Sequence, residues 1–111
     1  MATDGNIYVS VNGANGVDVE LLAPGANVEG IKSILFSNTD NAAITVSLFI
    51  QDSPTLGVND TVYLIKTLEI PQSVSFLFDE EKMLRFNNSI DGYGLYVTVG
   101  SGDTMDVMIN T

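Results

Sequence analysis

The chain has 111 residues and 11.9 kDa, with fourteen Asp and Glu against four Lys and Arg, a net charge of −10, and neither His nor Cys. A polyanion with no basic run (its cations are Lys32, Lys66, Lys82 and Arg85) excludes nucleic acid and anionic membrane surfaces as partners. The missing imidazole and thiol exclude a Ser–His–Asp triad, a thiolate nucleophile and a His/Cys zinc site.

The length is that of one domain, residues 1–111. Apolar residues make up 45% and charged residues only 16%, below the ~25% of an ordinary soluble domain. With few charges to cover a small body, some apolar surface is expected to face a partner or a sister subunit. No apolar stretch approaches the ~20 residues of a membrane span. The first residues carry no charged-then-apolar leader, and assembly in a cytoplasm is the expectation.

Short β-like segments follow one another along the chain. Ile7, Val9 and Val11 alternate with polar neighbours until Asn12-Gly13. Val17, Val19 and Leu21 alternate before Ala23-Pro24-Gly25. Ile31, Ile34 and Phe36 form a looser third segment, and Ile44, Val46, Leu48 and Ile50 give the cleanest period of two. A strand is predicted from Thr61 to Ile70, stopped by Pro71, and Val74, Phe76 and Phe78 alternate after it. Met83 to Phe86 reads as a short piece ended by Asn87-Asn88. Leu95, Val97 and Val99, then Met105, Val107 and Ile109, complete the set. No window shows the spacing of an amphipathic helix. Alternating segments at this interval, separated by Gly, Asn and Asp, predict an all-β fold: a single antiparallel β-sandwich or jelly roll of about eight or nine short strands.

One strand breaks its own alternation. Counting by twos from Val62 puts Lys66 on the buried face. Either the lysine stem snorkels, or a bulge near Ile65 resets the count and turns Tyr63 and Ile65 inward before it.

The remaining candidates for chemistry are carboxylates and glycines. Asp79, Glu80 and Glu81, or Asp103 with Asp106, offer the two acids that a glycosidase needs. There is no Trp to build a sugar platform, and such acids read as solvated turns. Asp4-Gly5-Asn6, Asn38-Thr39-Asp40-Asn41 and Asn59-Asp60 are oxygen-rich, but none has EF-hand spacing, and Asx side chains have a local use in turns. Gly92-Tyr93-Gly94 and Gly100-Ser101-Gly102 lack the Lys-Ser/Thr of a phosphate loop and read as hairpin turns. No catalytic residue, metal ligand or cofactor is expected.

The run Ile34-Leu35-Phe36-Ser37-Asn38, then Ile44 to Ile50, then Tyr63-Leu64-Ile65-Lys66 with Ile70-Pro71, and the ending Gly102 to Ile109 together resemble small virion structural proteins of marine tailed bacteriophages, those of cyanobacteria above all. The likeness spans roughly Ile34 to Ile109 and is one of strands and turns. It implies a copy-rich β-sandwich in the virion, on the head, neck or tail, and transfers no functional residue. The expected role is a non-enzymatic head decoration or cement protein packing on the capsid shell, with a neck or tail accessory protein as the alternative. The implied partners are the major capsid or neck and tail proteins, together with sister copies, often as a trimer. A carbohydrate or host-receptor binding module, using Tyr8, Tyr63, Tyr93 and Tyr96 as its platform, is the reading from another class.

Several strands carry an apolar residue opposite their main apolar row. Phe49 lies between Leu48 and Ile50, Leu77 between Phe76 and Phe78, and Met108 between Val107 and Ile109. If one face of each strand fills the core, these three point outward and form a protein-contact face, so that Ser at Phe49 or Leu77 leaves the fold intact. The net charge sets the salt response of any self-association. Ten negative charges per subunit repel across an interface, and salt screens them with a Debye length near 8 Å at physiological strength. A homo-oligomer is expected to tighten as salt rises from about 10 to 150 mM. Sedimentation that showed dissociation over that range would reverse this expectation.

Overall fold

The computed structural model describes residues 7–13, 19–25, 31–52, 61–86, 88, 92–100 and 102–110. They form β1 (Ile7–Asn12), β2 (Val19–Leu22), β3 (Ser33–Asn38), β4 (Ile44–Asp52), β5 (Thr61–Ile70), β6 (Ser75–Phe78), a helical turn α1 (Glu81–Leu84), β7 (Tyr93–Val99) and β8 (Thr104–Asn110). The fold is all-β, as the alternation predicts. The strands make two antiparallel four-stranded sheets, a front sheet ordered β1-β8-β3-β6 and a back sheet ordered β2-β7-β4-β5.

The pairings explain this order. β1 pairs with β8, β2 with β7, β3 with β6 and β4 with β5. They are the nested rungs of one long antiparallel ribbon, sent alternately to the two sheets. Lateral pairs β3·β8 and β4·β7 then join the rungs within each sheet. The result is a jelly roll.

Inward side chains obey the two-residue period. On β4, Ile44, Val46 and Leu48 are fully buried and Ile50 nearly so, while Thr45 is exposed between them. One apolar cluster takes residues from all eight strands, including Val11, Leu21, Ile34, Ile70, Phe78, Val97 and Ile109. Truncating such a side chain to Ala costs about 2–5 kcal/mol. Ile31 and Leu84 join the cluster from outside the strands. Val17, proposed for β2, lies outside the described residues.

Two local expectations are corrected. The piece from Met83 to Phe86 is not a strand, because Glu81–Leu84 forms a helical turn closed by the Leu84 amide on the Glu80 carbonyl at 3.2 Å. Glu, Lys, Met and Leu are all good helix formers, and a single turn needs only one inward residue, here Leu84. On β5 the register slips twice: Leu48 faces Ile65, Phe49 faces Tyr63, and Val46 faces Leu68. Bulges therefore accommodate Leu64 and the Lys66-Thr67 pair, and Thr67 sits at φ +58° with its amide on Ser47 Oγ at 3.0 Å. The bulge near Ile65 is present and Lys66 is exposed. Ile65 packs on the core, but Tyr63 faces outward beside Phe49 rather than inward.

Buried polar pins tie the loops to this frame. Asn38 Nδ2 lies 2.9–3.0 Å from the carbonyl oxygens of Ala42, Ile70 and Pro71, and its Oδ1 accepts the Asp40 amide at 2.8 Å. Asn88 Nδ2 likewise donates to the carbonyls of Ala23 and Tyr93. At the end that holds Asn38, the Gly13 amide donates to the Asp103 carbonyl at 2.7 Å, and a Cβ on Gly13 would run into the Gly100 carbonyl and a Val99 methyl.

Asn38→Asp sets a carboxyl against three carbonyl oxygens. Its charged form is disfavoured in the fold, so its folded-state pKa lies above the unfolded value near 3.9. The deficit is therefore smallest below about pH 4, where a protonated carboxyl still donates one bond, and grows as pH rises. At neutral pH the variant is expected to lose about 3 kcal/mol or more. Urea melts of variant and parent at matched pH measure the difference, and an equal deficit at acid and neutral pH would refute the arrangement.

Candidate functional site

The front sheet turns Tyr8, Met108, Leu35 and Leu77 outward in one continuous row. The register makes the row: Tyr8 faces Met108, Met108 faces Leu35, and Leu35 faces Leu77. Tyr8 is 72% and Leu77 53% exposed, while Leu35 and Met108 are half-buried between them. A polar row runs alongside, one rung away, through Ser10, Asp106, Ser37 and Ser75. Ser10 Oγ donates to Asp106 Oδ1 at 2.9 Å, and the hydroxyls of Ser37 and Ser75 share a bond at 3.1 Å. Between the rows an open depression of about 210 Å³ is lined by Tyr8, Ser10, Ser37, Asp106 and Met108, together with Val9 and Val107.

The back sheet carries a different row, Glu20, Tyr96, Phe49 and Tyr63. Phe49 stacks with Tyr96 at 5.8 Å between centroids and 16° between planes, and meets Tyr63 at 5.3 Å and 50°. Both ends are closed by charges of the chain itself. The Tyr96 hydroxyl donates to Glu20 Oε2 at 3.2 Å, and Lys66 Nζ stands 5.0 Å from the centre of the Tyr63 ring.

The predicted contact face is thus divided. Leu77 and Met108 share the front sheet's outer row, joined through Leu35. Phe49 is directed outward but on the opposite sheet, and it is 3% exposed because two tyrosines cover it. Its expected role as an exposed anchor is corrected: alternation gives the face a side chain points to, not what neighbouring strands lay over it. Leu35 and Tyr8 belong to the same row and were missed. Leu35 reads as part of a continuous apolar run, and Tyr8 as a lone polar-side residue, until register aligns them.

The four tyrosines do not gather. Tyr8 is on the front face, Tyr63 and Tyr96 on the back, and Tyr93 packs against the core. Two acids of the loops, Asp103 and Asp40, are bonded to backbone. Asp103 Oδ2 accepts the Thr45 amide at 3.2 Å, and Asp40 accepts the amides of Asn41 and Thr104 at 2.7 and 3.1 Å. Asp106 lies apart from Asp103, out on the sheet. Asp79 and Glu80 are exposed after β6. Among the described residues no three His, Cys, Asp or Glu side chains are grouped to hold a metal ion. Asp4-Gly5-Asn6, Asn59-Asp60 and the Glu81 side chain lie outside what is described. Comparison with family models, curated proteins and solved structures gives no match.

Phe49 and Leu77 are expected to respond oppositely to truncation. Phe49→Ala removes the ring between two tyrosines and should cost about 3–5 kcal/mol. Leu77→Ser, on an exposed position, should stay within about 0.5 kcal/mol. Thermal or urea melts of the two variants compare them directly, and a neutral Phe49→Ala would show that the aromatic row carries no stability.

Proposed function

We propose that this chain is a non-enzymatic virion structural protein that docks on its neighbours through the outer face of the front sheet. The observation that carries the docking is the apolar row Tyr8–Met108–Leu35–Leu77. A small domain does not need a largely exposed aromatic and a half-exposed leucine at the two ends of one aligned row. Such a row, rimmed by Ser and Asp, has the make-up of an interface: an apolar centre with a polar border.

The assignment to a tailed-phage particle rests on the resemblance of the Ile34–Ile109 region. The jelly roll agrees with it, since this architecture is widespread in viral shells, although one fold hosts many functions. A head decoration or cement protein is the leading role, bound to the capsid shell with sister copies beside it, and a neck or tail accessory protein is the alternative. Lectins also use jelly rolls. The distribution of the tyrosines over two faces and the core, with Phe49 covered, argues against a sugar platform here.

Mass spectrometry of gradient-purified virions of the encoding phage should detect the chain as a stoichiometric component. Leu77→Ser should reduce its occupancy on the particle about tenfold or more if Leu77 is an anchor, equivalent to about 1.4 kcal/mol, with its melting temperature little changed. Absence from purified particles would overturn the virion reading, and unchanged occupancy would overturn the docking face.

A further inference from the structure

We infer that the depression beside Asp106 is a socket for the cationic head of an arginine or lysine on the protein docked against the front sheet. This rests on the docking reading above and names the chemistry of the partner. The socket has the three parts that such a side chain requires. Asp106 supplies a carboxylate, exposed at the surface, with Oδ1 already oriented by Ser10 Oγ at 2.9 Å. Tyr8 supplies an aromatic wall and Met108 an apolar one. An aliphatic stem lies on these walls while its charged head meets the carboxylate, and a guanidinium also stacks on an aromatic face. Ser37 adds a hydroxyl on the far side.

Charge complementarity fixes the occupant's sign. Asp106 is the one charged residue on the four strands of the front sheet. None of the chain's four cations lines the depression. On the back sheet the tyrosines meet charges of the chain itself, with Lys66 set over Tyr63 at one end and Glu20 accepting from Tyr96 at the other. On the front sheet the tyrosine and the carboxylate are present and the cation is not. A chain with fourteen acids and four bases leaves that cation to a partner. A second copy brings ten further negative charges to the face, so the favoured occupant is a different protein with a basic residue beside an apolar ridge.

The test is a titration of the intact chain with Nα-acetyl-arginine methylamide, followed by NMR and compared with the neutral citrulline counterpart. The arginine probe should give saturable shifts centred on Tyr8, Ser10, Ser37, Asp106 and Met108, in the millimolar range expected of a fragment. Citrulline should bind at least tenfold more weakly. Asp106→Asn keeps an acceptor for Ser10 and should remove the preference for arginine, and Tyr8→Leu should weaken binding several-fold. Raising salt should weaken it as well, opposite to the response of a like-charged homo-oligomer. Equal binding of both probes, shifts spread over the acidic surface without preference for the depression, or an unchanged Asp106→Asn titration would each overturn the socket. A negative titration alongside lost particle occupancy in Leu77→Ser would remove the socket and leave the docking face standing. A positive titration alongside unchanged occupancy would keep the socket and remove the docking face.

Discussion

Cross-strand register is the constraint on which the rest of this molecule depends. In a pleated strand, neighbouring residues point to opposite faces, and a slip of one residue exchanges core for surface. Here the ribbon pairs β1 with β8 and β3 with both β8 and β6, so residues from four distant parts of the sequence align into rows. The inward rows make a core. The outward rows make surfaces whose composition cannot be guessed from any one strand. Tyr8 and Leu77 are 69 positions apart in the chain and stand at opposite ends of one row because Met108 and Leu35 fall between them in register.

The two outer faces use their rows differently. On the back sheet Phe49 is covered and the row is ended internally: Tyr63 and Tyr96 lie against Phe49, Lys66 caps one end and Glu20 the other. Surface pairs of this kind contribute modestly one by one, but together they leave few groups seeking partners. The bulges of β5 are part of the arrangement. They bring Tyr63 opposite Phe49, turn Lys66 outward over the ring, and interrupt a ten-residue edge strand that would otherwise invite pairing with other chains. Among the described residues no charge of the chain closes the ends of the front row in this way. That row meets a carboxylate and hydroxyls but no cation.

Much of the fold was legible because the inward rows are clean. Ile44, Val46, Leu48 and Ile50, or Leu95, Val97 and Val99, alternate so regularly that strand, face and burial follow from the letters. β5 was legible in extent, and the misplaced Lys66 announced its bulge. Tyr63 was misdirected because two bulges, not one, separate Val62 from Leu68. Met83 to Phe86 was misread because two apolar residues spaced by one fit a strand and a helical turn equally. The contact face was half legible. Leu77 and Met108 could be assigned to an outer surface by parity. Which outer surface, and whether a neighbour already lies over the residue, depends on strand order, and that information is carried by pairings between segments as far apart as Phe49 and Tyr96.

Charge links these local facts to the behaviour of the whole. The few carboxylates held in the described loops serve the backbone: Asp40 and Asp103 each accept amides across the end of the sandwich, joining β8 to the β3–β4 loop and β4 to the β7–β8 turn. Acids so used stabilise the fold through charge-assisted bonds. Asp106 is different, because a single serine hydroxyl does not need a carboxylate to receive it, and an asparagine or threonine would serve the sheet as well. Its placement at the border of the front sheet's apolar row therefore has its simplest physical reason outside the chain. A negative charge beside an apolar docking row costs desolvation on binding unless it is met by an opposite charge, so it admits partners that bring one and penalises those that do not. The same carboxylate also opposes face-to-face association of identical acidic copies, which keeps this surface available for the partner.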